Sequence, residues 1–584
     1  MNEYIVRKTY LSFVVVSVLT SITATIGMLI DNIIVGQAFG QDALGAMGIV
    51  GPLSLVFSAV GNICSGGGGA RAARALGSGD RYKVNMIFTI NLIFILVIGG
   101  ALTVFGLLFT PQIAGLLGAK GVLVNLSKQY MYGYFLGAIP TILLSGVMSF
   151  IRIDGSPRFP LICIVVMSVS NIVLDLMMVY VFHKGMFGMA LATTISYCLA
   201  VGVAFLHFLK KDATLRLVKP QHFVGELSRT IITGLPTAIS RISDTIKVML
   251  LNNVMVAFVS VAAVTALNVR TQAHNFLGAI VIGIGQAITP TIGMFFGEED
   301  KTAMKGTLKT ALRFGLSLVT MLALVVVAFP DYFAGLLGVE DGQVMDMSKK
   351  ALVFFAIGMP IYLINSVLIS FYQCTKRVVL ATLICVMQSL VYTVCLAAVL
   401  VHPLDDLGVW LAFFLGEILT LATVTVYVCV KNKKISVGVD SFMMMDKDFG
   451  GLKKDIFETS IGNSMDEVVS LSSGIVGFYQ DRNITDKALN TLCLSIEEMA
   501  GNIVKHAFRQ GEKRWIDLKI LDKPDAVIIR LRDNGEAFDP IEHLKKNNPD
   551  EYGIRLIHGL AKNFEYRRSM GLNNLFIEIE KENI

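Results

Sequence analysis

Between residues 10 and 430 the chain is a near-continuous series of apolar runs, each close to the roughly 20 residues that a helix needs to cross a bilayer. In hydrocarbon every backbone polar group must be satisfied from within, so only helices and closed barrels can span. The runs are read as spanning helices. About twelve can be marked by that length criterion, at 10–36, 46–72, 85–110, 129–151, 160–182, 186–209, 230–257, 264–296, 308–330, 350–374, 378–401 and 408–430. Hydrophobic residues make up 54% of the chain and charged residues 16%, less charge than a soluble domain of this length carries. Residues beyond 440 change character and have ordinary globular composition.

The loops carry an orientation signal. One alternate set holds Arg71, Arg74, Arg81, Lys83, Arg152, Arg158, Lys210, Lys219, Arg229, Lys301, Lys309, Lys376 and Arg377, among others. The other set holds only Lys120, Lys128, Lys184, Lys349 and Lys350. Positive loops stay cytoplasmic. Arg7 and Lys8 before the first run and Lys431, Lys433 and Lys434 after the last fall on the basic side. Both termini are therefore expected in the cytosol of a multi-pass plasma-membrane protein, with an even number of spans. The net charge of +6 speaks of this orientation and not of nucleic acid. The first run ends in Asp31-Asn-Ile-Ile-Val-Gly36, not in a small-residue cleavage site, so it reads as a retained span. The eight cysteines form no CxxC pair and suggest neither a disulfide framework nor a metal site.

The two halves repeat at an offset of about 220 residues. Gly137-Ala-Ile-Pro140 returns as Gly358-Met-Pro360, Ser149-Phe150 as Ser370-Phe371, and Leu161-Ile-Cys163 as Leu383-Ile-Cys385. Six spans per repeat give both halves one topology, with an axis along the membrane normal and cargo expected between them. Six ionisable residues lie in or near spans: Asp31, Asp175, Asp244, Lys247, Arg270 and Glu417. Each costs about 2.5–3.5 kcal/mol on insertion scales, so such groups usually face a cavity and work there. Asp244 and Lys247, on adjacent turns, read equally well as a structural pair. Asn171 lies one turn before Asp175 on the same face. With Thr193 and Thr194 they offer hard oxygen ligands, which suit a proton or Na⁺. The related segment of the second half, Tyr392–Ala397, has no acid, which puts the cation site in the first half.

Asp31-Asn-Ile-Ile-Val-Gly36, Arg74-Ala-Leu-Gly-Ser-Gly-Asp80, Arg152-Ile-Asp-Gly-Ser-Pro157, Asn171-Ile-Val-Leu-Asp175 and Gly234-Leu-Pro236 together resemble the MATE multidrug efflux transporters over about residues 5–435. The resemblance implies H⁺- or Na⁺-coupled export of small organic, often cationic, compounds. By motif it implies that Asp31, Asn171, Asp175 and Thr193 are coupling positions of the N-lobe. It matches Asp244 to an acid of a C-lobe site found in some members. The acid that those members carry on the tenth span has no counterpart in Phe371-Tyr-Gln-Cys-Thr-Lys376.

In the tail, Leu489, Leu492, Ile496, Met499 and Ile503 form a helical apolar stripe over 486–508, and Glu498 and Asn502 share one face. Trp515–Ile520, Ala526–Arg532 and Leu575–Ile579 alternate as strands, and 553–562 reads as a short helix. The ordered blocks Glu498-Met-Ala-Gly-Asn502, Asp533-Asn-Gly535 and Tyr552-Gly553 resemble the GHKL ATP-binding fold, closest to the anti-sigma-factor serine kinases. That resemblance implies an α/β sandwich over 455–582 binding Mg²⁺ and ATP. Asn502 would hold Mg²⁺, Asp533 would accept from the adenine amino group, and Gly535 and Gly553 would admit the nucleotide to the backbone. Glu498 would be a general base toward a serine or threonine hydroxyl. His506 reads as structural. A single glycine in the lid, Gly553, favours binding over efficient phosphotransfer.

The expected architecture is thus an all-α membrane domain of twelve helices in two six-helix repeats, 1–220 and 221–435, then a linker, 436–454, and an ATP-binding domain, 455–584. Two functions compete. One is a cation-coupled exporter with a regulatory ATP-binding tail. The other is a membrane-anchored sensor whose tail phosphorylates a soluble partner of anti-anti-sigma type. A primary ATP-driven pump would need a Walker A lysine loop, which is missing.

Overall fold

A computed structural model describes the chain except residues 1–3, 211–212, 341, 436–437, 447, 481, 483, 509–511, 546–551 and 582–584. It divides into two compact units. One comprises Tyr10–Glu298 and Thr307–Met444, the other Met1–Thr9, Glu299–Gly306 and Met445–Ile584.

The larger unit is helical throughout, and two of its helices start within Met1–Thr9 and Glu299–Gly306 of the other unit. Its helices are α1 (Tyr4–Asn62), α2 (Gly69–Gly77), α3 (Arg81–Leu116), α4 (Val122–Leu136), α5 (Ala138–Ile153), α6 (Phe159–Leu176), α7 (Gly185–Leu206), α8 (Phe223–Phe258), α9 (Val261–Gly297), α10 (Lys301–Ala328), α11 (Pro330–Leu336), α12 (Gln343–Cys374), α13 (Val378–Val386) and α14 (Tyr392–Asn432). Among the described residues, eight continuous helical stretches are long and apolar enough to span, or nine if the bent pair α4–α5 is one span. Two of the eight, Tyr4–Gly77 and Val378–Asn432, are 74 and 55 residues long. At about 1.5 Å per residue the first exceeds any bilayer. Each is interrupted by one non-helical residue, Gly40 at φ 79° and Asp405 at φ 50°. The pieces on either side of each break are long enough to span. With those breaks and with α8, whose run is interrupted by Arg241, Asp244 and Lys247, the helices match the twelve apolar runs one for one.

Short π-helical stretches occupy Ile63–Gly68, Met177–Val181 and Met387–Val391. The last two follow α6 and α13, the helices that carry the repeated Leu-Ile-Cys motif, and both motif cysteines, Cys163 and Cys385, are buried. A π turn inserts an extra residue and often marks a working site. One begins two residues after Asp175, and the other carries Gln388. Helices α2 and α9 cross closely, Gly77 against the Met294 carbonyl and Gly297 against the Arg74 carbonyl.

The smaller unit holds one five-stranded antiparallel sheet, ordered β1 (Ile456–Gly462), β2 (Trp515–Asp522), β3 (Ala526–Asp533), β5 (Leu572–Glu580), β4 (Asn563–Ser569). Helices α16 (Met465–Tyr479), α17 (Asp486–His506) and α19 (Tyr552–Leu560) supply its apolar layer, after the single-turn α15 (Val439–Met443) of the larger unit. A further short helix, α18, spans Pro540–Lys545. Period-two alternation sorts β3: Val527, Ile529 and Leu531 join the core with Ile496, Met499 and Ile503. Arg530 and Arg532 point the other way, yet are 4% and 0% exposed. They are covered by Asp300, whose Oδ2 lies 2.8 Å from Arg530 and 3.0 Å from Arg532. The same carboxylate caps α10 through Oδ1, 3.0 Å from the Ala303 amide. The two guanidiniums hold it well below the usual carboxylate range against its burial.

Sequence reasoning located β2, β3, β5, α17 and α19 but missed β1, β4 and α16. The expected linker is not plain coil: α14 runs to Asn432 and α15 adds a turn. The inclusion of Glu299–Gly306 in the tail unit was not anticipated.

Candidate functional site

In the first half of the membrane unit, α1 and α6 bring Asp31 and Asp175 together. Their carboxyl groups are close enough to act on each other electrostatically. No described residue donates to Asp31 Oδ1 or to either oxygen of Asp175, which is fully buried. Packing is close enough that a Cβ on Gly27 of α1 would meet the Ser168 hydroxyl of α6 at 2.9 Å. Asn171, one turn before Asp175, sits 3.4 Å from the Thr193 hydroxyl of α7. The four N-lobe residues marked by the sequence therefore gather on α1, α6 and α7. Nearby, Tyr130 stacks on Tyr134, and Tyr134 on Phe57 at 5.1 Å. Sequence reasoning did not single out these rings. Asp244 lies apart on α8, where its Oδ1 takes the Lys247 ammonium at 2.8 Å.

In the tail unit, α17 presents Glu498 and Asn502 one turn apart, and the Asn502 amide donates to Glu498 Oε1 at 3.2 Å. Asp533 ends β3. Its Oδ1 accepts from the Gly535 amide at 2.7 Å and from Asn573 Nδ2 at 2.8 Å. Asn573 stands opposite Asp533 in the β3–β5 register, and sequence reasoning missed it. Burial pushes the Asp533 carboxyl up to about 6, although both donors pull it down. No described residue donates to its second oxygen. A small cavity here is lined by Asp533 and Asn573 together with Met499, Ile503, Leu531 and Phe538. An apolar slot with one fixed acceptor suits a flat heterocycle bearing an amino group. Gly535 is required by its neighbour: a Cβ would lie 2.2 Å from the Ala507 carbonyl. His506 stacks on Phe538 at 5.0 Å. Gly553 falls in the first turn of α19; the preceding lid residues 546–551 lie outside the described residues.

Comparison with known proteins agrees with both units. The MatE family model matches residues 17–177 and 236–399, and a histidine-kinase-like ATPase domain model matches 463–578. Multidrug export protein MepA of Staphylococcus saprophyticus is 25% identical over 392 residues, covering 66% of this chain and 85% of that protein. MepA of Staphylococcus haemolyticus is 25% identical over 313 residues, covering 53% and 69%. The Vibrio cholerae MATE transporter VcmN, crystallised as a point mutant, superposes with TM-score 0.69 at 18% identity over 74% of this chain and 98% of its own. A MOP superfamily transporter from Pyrococcus furiosus gives 0.66 at 21% over 72% and 94%. At those identities the structures speak for the fold alone. With a family model matched across both halves of the helical unit, this multi-pass membrane chain belongs to the MatE family and carries a histidine-kinase-like ATPase domain at its C-terminus.

Proposed function

We propose that the chain exports small organic compounds across the cytoplasmic membrane in exchange for H⁺ or Na⁺, with both termini in the cytosol and the tail as an ATP-binding regulatory domain. The observation that carries this reading is the Asp31–Asp175 pair. Two carboxylates, Asp175 buried and Asp31 half-buried, repel each other in a low dielectric. A proton or a small hard cation between them removes the repulsion, and Asn171 and Thr193 add neutral oxygens. Taking up and losing that cation changes how closely α1 and α6 can pack, which is the coupling an antiporter needs. Asp244, held by Lys247, is a weaker candidate for a second coupling acid.

For the tail, the residues fit a bound nucleotide: the free oxygen of Asp533 would take the adenine amino group, and the apolar slot would take the ring. The side-chain oxygen of Asn502 would hold Mg²⁺, which neutralises phosphate charge when bound. Glu498 beside Asn502 favours a second reading, in which it accepts a proton from a serine or threonine hydroxyl of a soluble protein partner. The two readings separate in one experiment. Protein in sealed vesicles is given an H⁺ or Na⁺ gradient, and dye efflux is followed with and without ATP. Gradient-driven efflux that ATP modulates supports the first. Efflux indifferent to ATP, with phosphate transferred to a partner, supports the second. No efflux under either gradient ends the exporter reading.

A further inference from the structure

The second half of the membrane unit contains a cavity that the acid pair does not use. Rings of α12 and α14, among them Phe355, Tyr362 and Phe413, wall it, and its polar lining is Arg270 and His274 of α9 and Glu417 of α14. Arg270 is 8% exposed. Its guanidinium lies over the Phe413 ring at 3.6 Å and near the Phe355 ring at 5.3 Å. Its Nε has no hydrogen-bond partner, and among the described residues no carboxylate reaches it within ion-pair distance. The nearby acids are already engaged. Asp244 holds Lys247 at 2.8 Å. Glu417 Oε2 accepts from Asn365 at 2.9 Å and from Gln388 at 2.8 Å.

A buried charge with no carboxylate in ion-pair contact is costly, and stacking on aromatic rings recovers only part of that cost. The guanidinium fork matches one partner geometry best, the two oxygens of a carboxylate. The rings around it match an apolar, flat body. We infer that this cavity, about 20 Å³ as it stands and widened by its occupant, is a binding site for an organic anion, an aromatic carboxylate whose ring packs among Phe355, Tyr362 and Phe413 while its carboxylate meets Arg270. The inference rests on the exporter reading in one respect: it names a class of cargo for it.

The test is calorimetric titration of the full-length protein in a non-ionic detergent, with no gradient, using 2-naphthoate and the equally bulky cation 2-naphthylmethylammonium. Naphthoate is expected to bind at least tenfold more tightly than the ammonium ion. Arg270→Gln should lower naphthoate affinity at least tenfold. Glu417→Gln keeps an acceptor for Asn365 and Gln388 and removes a negative charge from the cavity, so it should raise naphthoate affinity several-fold. That variant decides the matter if Arg270→Gln fails to fold. Preference for the cation, unchanged naphthoate affinity in folded Arg270→Gln, or weaker naphthoate binding in Glu417→Gln would each overturn the inference. Naphthoate binding by a protein that exports nothing would leave the site standing and remove the exporter reading. Gradient-driven dye export by a protein that does not bind naphthoate would do the reverse.

Discussion

Asp533 divides its work between two oxygens. Oδ1 is spent on Gly535 and Asn573, and the second oxygen is available to a ligand. A hydrogen bond to a charged acceptor contributes about 1.5–3 kcal/mol. Asp533→Ala should therefore weaken ATP binding by about tenfold to a hundredfold, by calorimetry on the full-length protein. The carboxyl sits near 6 in the fold, above the roughly 3.9 of an exposed one. It is a full acceptor above that pH and takes a proton as pH falls through it. ATP affinity should thus drop below pH 6 more steeply in the wild type than in Asp533→Asn. The stability contribution of this group has the opposite sign. Between about 3.9 and 6 the folded state binds the extra proton, so stability rises as pH falls through that window. In the membrane unit, Asp175→Asn leaves an amide that cannot exchange a proton with Asp31. It should abolish gradient-driven efflux while the protein still inserts and binds cargo. Glu498 and Asn502 were legible because four residues apart on a helix means one face. Asn573 was not, because its role depends on strand pairing across 40 residues of sequence separation.

Among the elements, the α2–α9 crossing depends on the absence of side chains. A Cβ on Gly77 would lie 2.0 Å from the Met294 carbonyl, and one on Gly297 2.1 Å from the Arg74 carbonyl. Both obstacles are backbone, so a methyl group can be admitted only by moving the helices apart. Overpacking of this kind costs about 1–3 kcal/mol. Gly297→Ala should lower the melting temperature in detergent by several degrees, whereas Gly115→Ala, with open space at its Cβ, should not. Small residues let helices approach in lipid, but sequence alone could not say which of 53 glycines serve that end. The strands show the same limit. β2, β3 and β5 alternate cleanly and were readable. The edge strands β1 and β4 are rich in polar residues, such as Glu458, Thr459 and Ser460 or Glu565, Arg567 and Arg568, so alternation was hidden.

At the level of the whole molecule, the composition shift near residue 440 marked two units, and the twelve runs marked the helices. The grouping of Glu299–Gly306 with the tail unit was invisible, because Glu299 and Asp300 read as a polar loop. Asp300 becomes informative only when Arg530 and Arg532 are seen buried against it. The path of the chain follows from this. The polypeptide leaves the helical unit after Glu298 and re-enters it at Thr307, besides passing between units at Thr9 and Met444. The tail is therefore stitched in, not hung from one thread. A protease site placed between Met444 and Met445 cuts the last connection only. After cleavage, the fragment from 445 onward should sediment with the membranes and not in the soluble fraction. Asp300→Ala removes the carboxylate that Arg530 and Arg532 share and should free that fragment after the same cut. Severing the final link thus distinguishes a domain tethered by one thread from one that also grips the turn joining α9 to α10.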